Sequence, residues 1–175
     1  MDNVLVPYAR AIYSVAHEQN KVQEWIDLLQ DISGELNKSS LQDFMQNPSV
    51  STNRKAKIIS ESLIKANYPE EIVRFLEYLT LNSKILMLND VVEIVKKQND
   101  DNLGIKRVTV VQAMETSQDY KQKIQAWLSD NLGGDVVPSW QIDSDLIGGF
   151  VVEIGNTVYD YSIKAKINQI KESLM

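Results

Sequence analysis

Few residues of this chain have the type and spacing that catalysis would need. The only histidine, His17, has no second histidine with which to share a metal ion, so a ligand or general-base role would need distant partners. Asp143 and Asp145 could be drawn as a carboxylate pair, but aspartates close before a glycine pair are typical of turns. We therefore expect an exposed His17 and turn chemistry at Asp143 and Asp145, with no catalytic residue at either place.

Glycines near the C-terminus raise the question of a nucleotide site. Gly148, Gly149 and Gly155 lack the Gly-x-Gly-x-x-Gly spacing, and the residues after them predict a hairpin strand instead of a helix N-terminus. Neither a P-loop nor a Gly-x-Ser-x-Gly elbow occurs in the sequence, and there is no cysteine for thiol chemistry. The sequence thus predicts a protein without enzyme activity, cofactor, metal or small-molecule substrate.

The charge balance argues against nucleic acid and lipid as partners. The chain has 18 Lys and Arg against 24 Asp and Glu, a net charge of -6, so its overall field repels phosphate groups. The longest nearly uncharged apolar run, residues 146–152, is far shorter than the roughly 20 residues that span a bilayer. We expect no membrane insertion, and the N-terminus lacks the features of a targeting peptide.

Apolar residues at helical spacing dominate the first hundred residues. Six such segments are predicted: after Pro7, from Val22, around Leu41 to Met45, after a cap at Thr52 or Asn53, from Pro69, and from Ile85 to Gln98. The polar residues 99–102 break the pattern, and we place a domain boundary there. Residues 1–104 are therefore predicted to form an N-terminal six-helix bundle domain.

The first helix carries two stripes of contact residues. The first stripe contains Tyr8, Ala11, Ile12, Val15 and Gln19, and the second contains Ala9, Tyr13 and Ala16. One stripe is enough to join a helix to its own domain, so the second means either central burial or a docking surface.

Residues 105–175 change to a pattern of strands and helices. Val108, Val110 and Val111 predict a strand, the helix that follows stops at Gly133 and Gly134, and residues 136–142 predict a second strand. Pro138 within that strand favours an edge position, because proline cannot donate to a sheet ladder.

The end of the chain predicts a hairpin followed by a helix. Residues 149–154 and 157–161 are predicted to form strands around a Gly155-Asn156 turn, and Ser162 is a candidate N-cap. The last helix has one apolar face, formed by Ile163, Ile167, Ile170 and Leu174. The predicted fold class is α plus α/β, with residues 105–175 forming a small C-terminal α/β domain around a short mixed sheet.

Several segments together resemble one known family. They are Tyr8-Ala9-Arg10-Ala11-Ile12, the helix with Trp25, Leu79 to Leu86 around Asn82, Val110 to Ala113, Asp143 through Gly149, Ile154 through Asn156, and Val158 through Ser162. The chain resembles the delta subunit of the F-type ATP synthase, a family that includes the mitochondrial oligomycin sensitivity conferral protein. It departs from the family's usual Arg at Lys84, and from its frequent Asp and Gly at Asn156 and Tyr161.

The resemblance implies a non-catalytic peripheral-stalk (stator) subunit. In the family, the N-terminal helical domain binds the N-terminal helix of an alpha subunit of the F1 head, and the C-terminal domain meets the b subunits. The head is thereby held against rotor torque during proton-driven ATP synthesis. A bacterial member would lie on the cytoplasmic side of the cell membrane, held there through its partners.

The resemblance also places the alpha-binding groove between the first and fifth helices. The residues it assigns to the groove are Tyr8, Ala11, Ile12, Val15, Arg74, Tyr78 and Leu81. Core packing is an open alternative for Ile12, Val15 and Leu81. The last helix and the hairpin of residues 149–161 are the candidate b-binding surface, at domain level only.

Two other classes of protein compete with this assignment. One is a generic helical adaptor whose C-terminal module binds a ligand, and whose first helix packs only inside its own domain. The other is a small hydrolase, which would need a triad or metal constellation that the sequence does not offer.

Overall fold

The chain divides into two compact units, residues 1–99 and residues 100–175. A computed structural model describes residues 4–155 and 157–173. In the first unit the helices are α1 (Val6–Glu18), α2 (Val22–Leu36), α3 (Ser39–Gln46), α4 (Thr52–Lys65), α5 (Glu70–Leu81), a 3₁₀ turn (Ile85–Met87) and α6 (Leu88–Leu103), which runs on into the second. The second unit continues with β1 (Ile105–Gln112), α7 (Gln118–Leu132), β2 (Asp135–Ile142), β3 (Phe150–Ile154), β4 (Thr157–Asp160) and α8 (Ile163–Ser173).

One hydrophobic core receives the apolar faces of α1 to α6. In α2, for example, Trp25, Leu29 and Ile32 recur at i, i+4 and i+7 and all three are buried. Burying each large apolar side chain contributes about 1.5–3 kcal/mol, so this shared core is the main source of the first unit's stability.

The two stripes of α1 differ in burial. Ala9, Tyr13 and Ala16 of the second stripe are buried, whereas Ala11 and Val15 of the first stripe remain exposed. The choice between central burial and docking is therefore resolved in favour of burial for the second stripe. The first stripe, apart from Ile12, is left at or near the surface.

The predicted cap of α4 at Thr52 or Asn53 is wrong by one or two residues. The N-cap is Ser51, whose hydroxyl accepts a hydrogen bond from the Arg54 backbone N–H at 3.4 Å. One turn into α4, the buried Lys55 donates from Nζ to the carbonyl oxygen of Met45 at 2.7 Å. A cation near the C-terminal end of α3 stabilises the free carbonyls there.

The predicted end of the sixth helix at Gln98 is also wrong, because α6 continues to Leu103. Polar side chains do not by themselves stop a helix, whereas Gly104, at φ 68°, does. The carboxylate of Asp100 in the last turns accepts hydrogen bonds from Nε and Nη2 of Arg107 on β1, at 2.5 and 3.0 Å. This bidentate pair holds the end of α6 within the second unit.

A four-stranded mixed sheet forms the second unit, with strand order β2-β1-β3-β4. Strand β1 pairs in parallel with β2 and antiparallel with β3, and β3 pairs antiparallel with β4. The predicted α plus α/β class with a short mixed sheet is confirmed, and β2 lies at an edge as Pro138 indicated. Helix α7 places Ile124 and Leu128 on the sheet, in a core with Val110, Val136 and Val152 among others.

The polar residues just before β3 and α8 form a turn and a helix cap. Asp143 accepts a hydrogen bond from the Asp145 backbone N–H at 2.9 Å, which is the predicted turn chemistry. Ser162 caps α8, since its hydroxyl accepts from the Ala165 N–H at 3.1 Å. Asn156 of the predicted hairpin turn and Leu174 of the last helix lie outside the described residues.

The glycine pair before β3 allows the chain to pass close to the start of α8. A Cβ on Gly149 would lie 2.6 Å from the carbonyl oxygen of Tyr161 and 2.9 Å from Cα of Ser162, and its φ is 82°. A Cβ on Gly148 would lie 2.8 Å from the side chain of Ile163. The glycines therefore have a structural role in joining β3 to α8.

We predict that Gly149→Ala destabilises the second unit by about 2 kcal/mol or more, because it adds both a backbone clash and an unfavourable φ. Urea unfolding followed by the fluorescence of Trp127 and Trp140 would measure the loss. Gly34→Ala is the matched control, since a Cβ there meets nothing within 4 Å and alanine favours a helix. Equal stability of the two variants would contradict the proposed role of Gly149.

Candidate partner-binding surface

Helices α1 and α5 lie side by side and antiparallel. Near the start of α1, Tyr8 lies against Tyr78 near the end of α5, with ring centroids 5.7 Å apart. At the other end, Gln19 just after α1 donates from Nε2 to Oε1 of Glu71 in the first turn of α5, at 3.0 Å. Residue numbers thus rise along α1 while they fall along α5, which fixes the antiparallel direction.

Helical periodicity identifies the sides of the two helices that face each other. On α1, Val15 completes a row with Tyr8 and Gln19, at i, i+7 and i+11. On α5, Glu71, Phe75 and Tyr78 are spaced i, i+4 and i+7. Phe75 is half-buried and packs against the core between the two contacts. The residues assigned to the groove from the sequence do not include Phe75, although its i, i+3 spacing from Tyr78 places both residues on the same side of α5.

Most of the apolar residues predicted for the groove are accessible. Val15, Tyr78 and Leu81 are 38%, 57% and 43% exposed, and Ala11 is exposed too. Ile12 is only 4% exposed and belongs to the core cluster. Together with the half-buried Tyr8, these residues leave an apolar surface on α1 and α5, with Ile12 beneath it.

Arg74 lies on the same outer row of α5 as Tyr78 and Leu81, at i, i+4 and i+7. Its guanidinium pairs with Glu70 at 2.5 Å, and both side chains are exposed. Such a surface ion pair contributes little to stability, so the guanidinium can leave Glu70 and pair with another carboxylate at little cost. Arg74 also borders a concave region of about 500 Å³ beside α4, which Tyr68 and Val73 help to line. We call Tyr8, Ala11, Val15, Arg74, Tyr78 and Leu81 the α1–α5 face.

The residues considered for catalysis are not assembled into a site. His17 is exposed, as expected, and its ring lies 5.7 Å from that of Tyr13. Within residues 4–155 and 157–173, no group of three or more His, Asp or Glu side chains is placed to hold a metal ion. None of the helices described there is long and apolar enough to cross a bilayer.

The arrangement defines a class of protein: a binding protein in which a helical unit with an exposed apolar face is joined to a small α/β unit. The family model for the ATP synthase delta (OSCP) subunit matches residues 4–174. The chain therefore belongs to the ATP synthase delta (OSCP) subunit family.

Individual relatives agree with this family assignment over nearly the whole chain. ATP synthase subunit delta of Gemmatimonas aurantiaca is 26% identical over 174 residues, covering 99% of this chain and 94% of that protein. The subunit of Marinobacter nauticus is 28% identical over 168 residues, covering 96% and 94%. A chain in the cryo-EM structure of the Toxoplasma gondii mitochondrial ATP synthase hexamer has the same fold, with a TM-score of 0.64, 19% identity and coverage of 99% and 98%.

The contact between Gln19 and Glu71 should depend on pH. The side-chain hydrogen bond from Gln19 is the main cause that holds the pKa of Glu71 below its ordinary value of 4.5. Because the folded pKa is depressed, this stabilisation is present above the unfolded pKa and is lost as pH falls through the folded pKa. We predict that Gln19→Ala raises the pKa of Glu71, as measured by carboxyl-carbon NMR titration.

Gln23→Ala is the control for this titration. Gln23 makes a similar hydrogen bond to Asp27 within α2, at 2.9 Å, so its loss removes an amide–carboxylate pair elsewhere. It should leave the titration of Glu71 unchanged. A wild-type titration curve for Glu71 in the Gln19→Ala variant would show that the hydrogen bond between Gln19 and Glu71 is absent in solution.

Proposed function

We propose that this chain is the peripheral-stalk connector of an F-type ATP synthase, with no catalytic activity of its own. Its N-terminal six-helix bundle domain, residues 1–104, binds the N-terminal helix of an alpha subunit. Its C-terminal domain, residues 105–175, binds the b subunits. The bacterial relatives favour a place on the cytoplasmic side of a bacterial cell membrane, where the chain is attached through its partners.

The observation that carries the first contact is the α1–α5 face. A guest amphipathic helix presents apolar anchors at i, i+3, i+4 and i+7, and two neighbouring host helices with exposed apolar rows can accept them. Tyr8 and Tyr78 lie in contact across the two helices. They provide amphipathic rings on this surface, of the kind that anchor interfaces.

Each residue of the face has a proposed role in gripping the guest helix. Ala11 lies between Tyr8 and Val15 on the exposed side of α1, and its small side chain permits close approach of the guest. Val15 and Leu81 widen the apolar surface, while Ile12 supports it from beneath. Arg74 exchanges its surface pair with Glu70 for a carboxylate of the guest.

A connector needs only affinity and rigidity to perform this function. The catalytic head must stay still against the torque of the central rotor, and a protein that binds the head at one end and the stalk at the other supplies that restraint. The shared core beneath α1 and α5 supports the rigidity of the head-binding end, because both helices are anchored in it.

We predict that Ala11→Trp abolishes binding of the alpha-subunit peptide, because the indole occupies the space of the guest helix. Titration calorimetry of the full chain with a peptide of about 20 residues from the N-terminus of the same organism's alpha subunit measures the loss. Wild-type binding is expected near micromolar or tighter, about -8 kcal/mol.

Gln30→Trp is the matched control, since it adds an indole at another exposed helical position, on α2. It should bind the peptide as the wild type does. Unchanged affinity of a folded Ala11→Trp variant would remove the assignment of the α1–α5 face. Failure of the folded wild-type chain to bind would favour the generic adaptor instead.

Tyr78→Ala should separate binding from stability. Tyr78 is more than half exposed, so its truncation should change the free energy of unfolding by less than about 1 kcal/mol. If its ring anchors the guest helix, its loss should weaken peptide binding by about 2 kcal/mol. Tyr120→Ala, which removes an exposed tyrosine from α7 of the second unit, should leave peptide affinity unchanged. Equal peptide affinities of the two variants would contradict the anchor role.

A further inference from the structure

Three aromatic rings meet at the surface of the second unit. The Trp127 ring lies edge-on to those of Tyr161 and Phe150, with centroids 5.0 and 6.0 Å away, and the last two rings are 5.4 Å apart. Trp127 and Tyr161 are still 38% and 36% exposed. An aromatic cluster that remains this accessible is typical of a surface that a partner covers.

Two lysines complete a concavity around these rings. Lys123, Ile124, Trp127, Phe150, Tyr161 and Lys166 line a space of about 320 Å³, which we call the aromatic notch. Among the residues that the structure describes, neither lysine ammonium has a hydrogen-bond or ion-pair partner. Lys121, by contrast, lies over the Trp140 ring at 5.5 Å. The notch is thus a cationic and apolar spot on a chain whose net charge is -6.

Helix α8 extends the apolar surface beyond the notch. Ile163 and Ile167, two members of its predicted apolar face, are each 48% exposed. The same helix supplies Lys166 to the notch. Apolar rows left half-covered on a short amphipathic helix favour a helical partner that lies along it.

We propose that the aromatic notch binds an amphipathic helix of a partner protein that carries a large apolar side chain with a carboxylate about one turn away. The apolar side chain enters the notch and packs on the exposed parts of Trp127 and Tyr161, where both rings lose their remaining exposure to water. The carboxylate pairs with Lys123 or Lys166, whose stems line the wall while their ammonium groups stay at the rim. The inference rests on the proposed function, since it takes this helix to belong to the b subunit.

The charges of the notch select its occupant. The two ammonium groups repel a basic helix and favour an acidic one, and the three rings require an apolar anchor as well. Tyr161 lies beside both of the other rings, with centroids 5.0 and 5.4 Å away. Recognition of its partner should accordingly depend on Tyr161.

The test is binding of the full chain to the soluble segment of the same organism's b subunit, by titration calorimetry at low and high salt. We expect Lys123→Glu with Lys166→Glu to weaken binding by about tenfold or more. Lys65→Glu with Lys97→Glu is the matched control, because it makes the same change in net charge at exposed positions of α4 and α6, in the first unit. The control should weaken binding by less than about twofold.

A second variant tests the aromatic part without changing charge. Tyr161→Ala should weaken binding by about tenfold, whereas Tyr120→Ala should not. Circular dichroism and thermal unfolding of each variant verify that it is folded. Binding of a folded Tyr161→Ala variant with wild-type affinity would overturn the role given to the ring.

The remaining outcomes separate the inference from the proposed function. Equal losses of b affinity in both double variants would mean that only the overall electrostatic field of the chain matters. Unchanged b affinity in both would place the b contact elsewhere. Either result overturns the binding role of the notch and leaves the proposed stalk function standing. Self-association lost only in the notch variant, with b binding intact, would reassign the notch to a second copy of this chain. No binding of b by a wild-type chain that still binds the alpha peptide would overturn the second contact itself.

Discussion

The antiparallel packing of α1 against α5 is the contact on which the partner-binding surface depends. A pair of tyrosine rings holds one end and the Gln19–Glu71 hydrogen bond holds the other. Between these two points, the buried residues of both helices enter the common core. The exposed apolar residues that remain on the two helices form one continuous surface only because the helices are held in this register.

Helix α1 serves two surfaces with residues one or two positions apart. Ala9 and Tyr13 face the core, whereas Ala11 and Val15 stay accessible. Because successive side chains are spaced by about 100° around the axis, one helix can present both of these faces. In the proposed function, the helix that contacts the partner is therefore also anchored in the core of its own unit.

The glycine-rich segment before β3 shows how a family signature can be structural. Gly149 passes within contact distance of the backbone at Tyr161 and Ser162, so no side chain fits there. The close approach sets the position of Tyr161 beside Phe150 and Trp127 at the rim of the notch. A motif that resembles a phosphate-binding loop in composition thus positions an aromatic surface.

The sequence by itself determined the helices, the strands, the edge position marked by Pro138, the cap at Ser162 and the turn at Asp143, because periodicity, proline geometry and capping are local. The family was also recognisable from motifs such as Asp143 through Gly149. Local rules failed at Ser51, where neighbouring polar residues compete for the N-cap position, and at residues 99–102, whose polar side chains do not by themselves end a helix. Only the tertiary structure decided that Ile12 lies in the core, that Tyr78 of α5 lies against Tyr8 of α1, and that Lys123 and Lys166 line one aromatic cluster. The physical reason is that a residue's place on its own helix follows from spacing, whereas the neighbour it meets depends on packing between segments far apart in the chain.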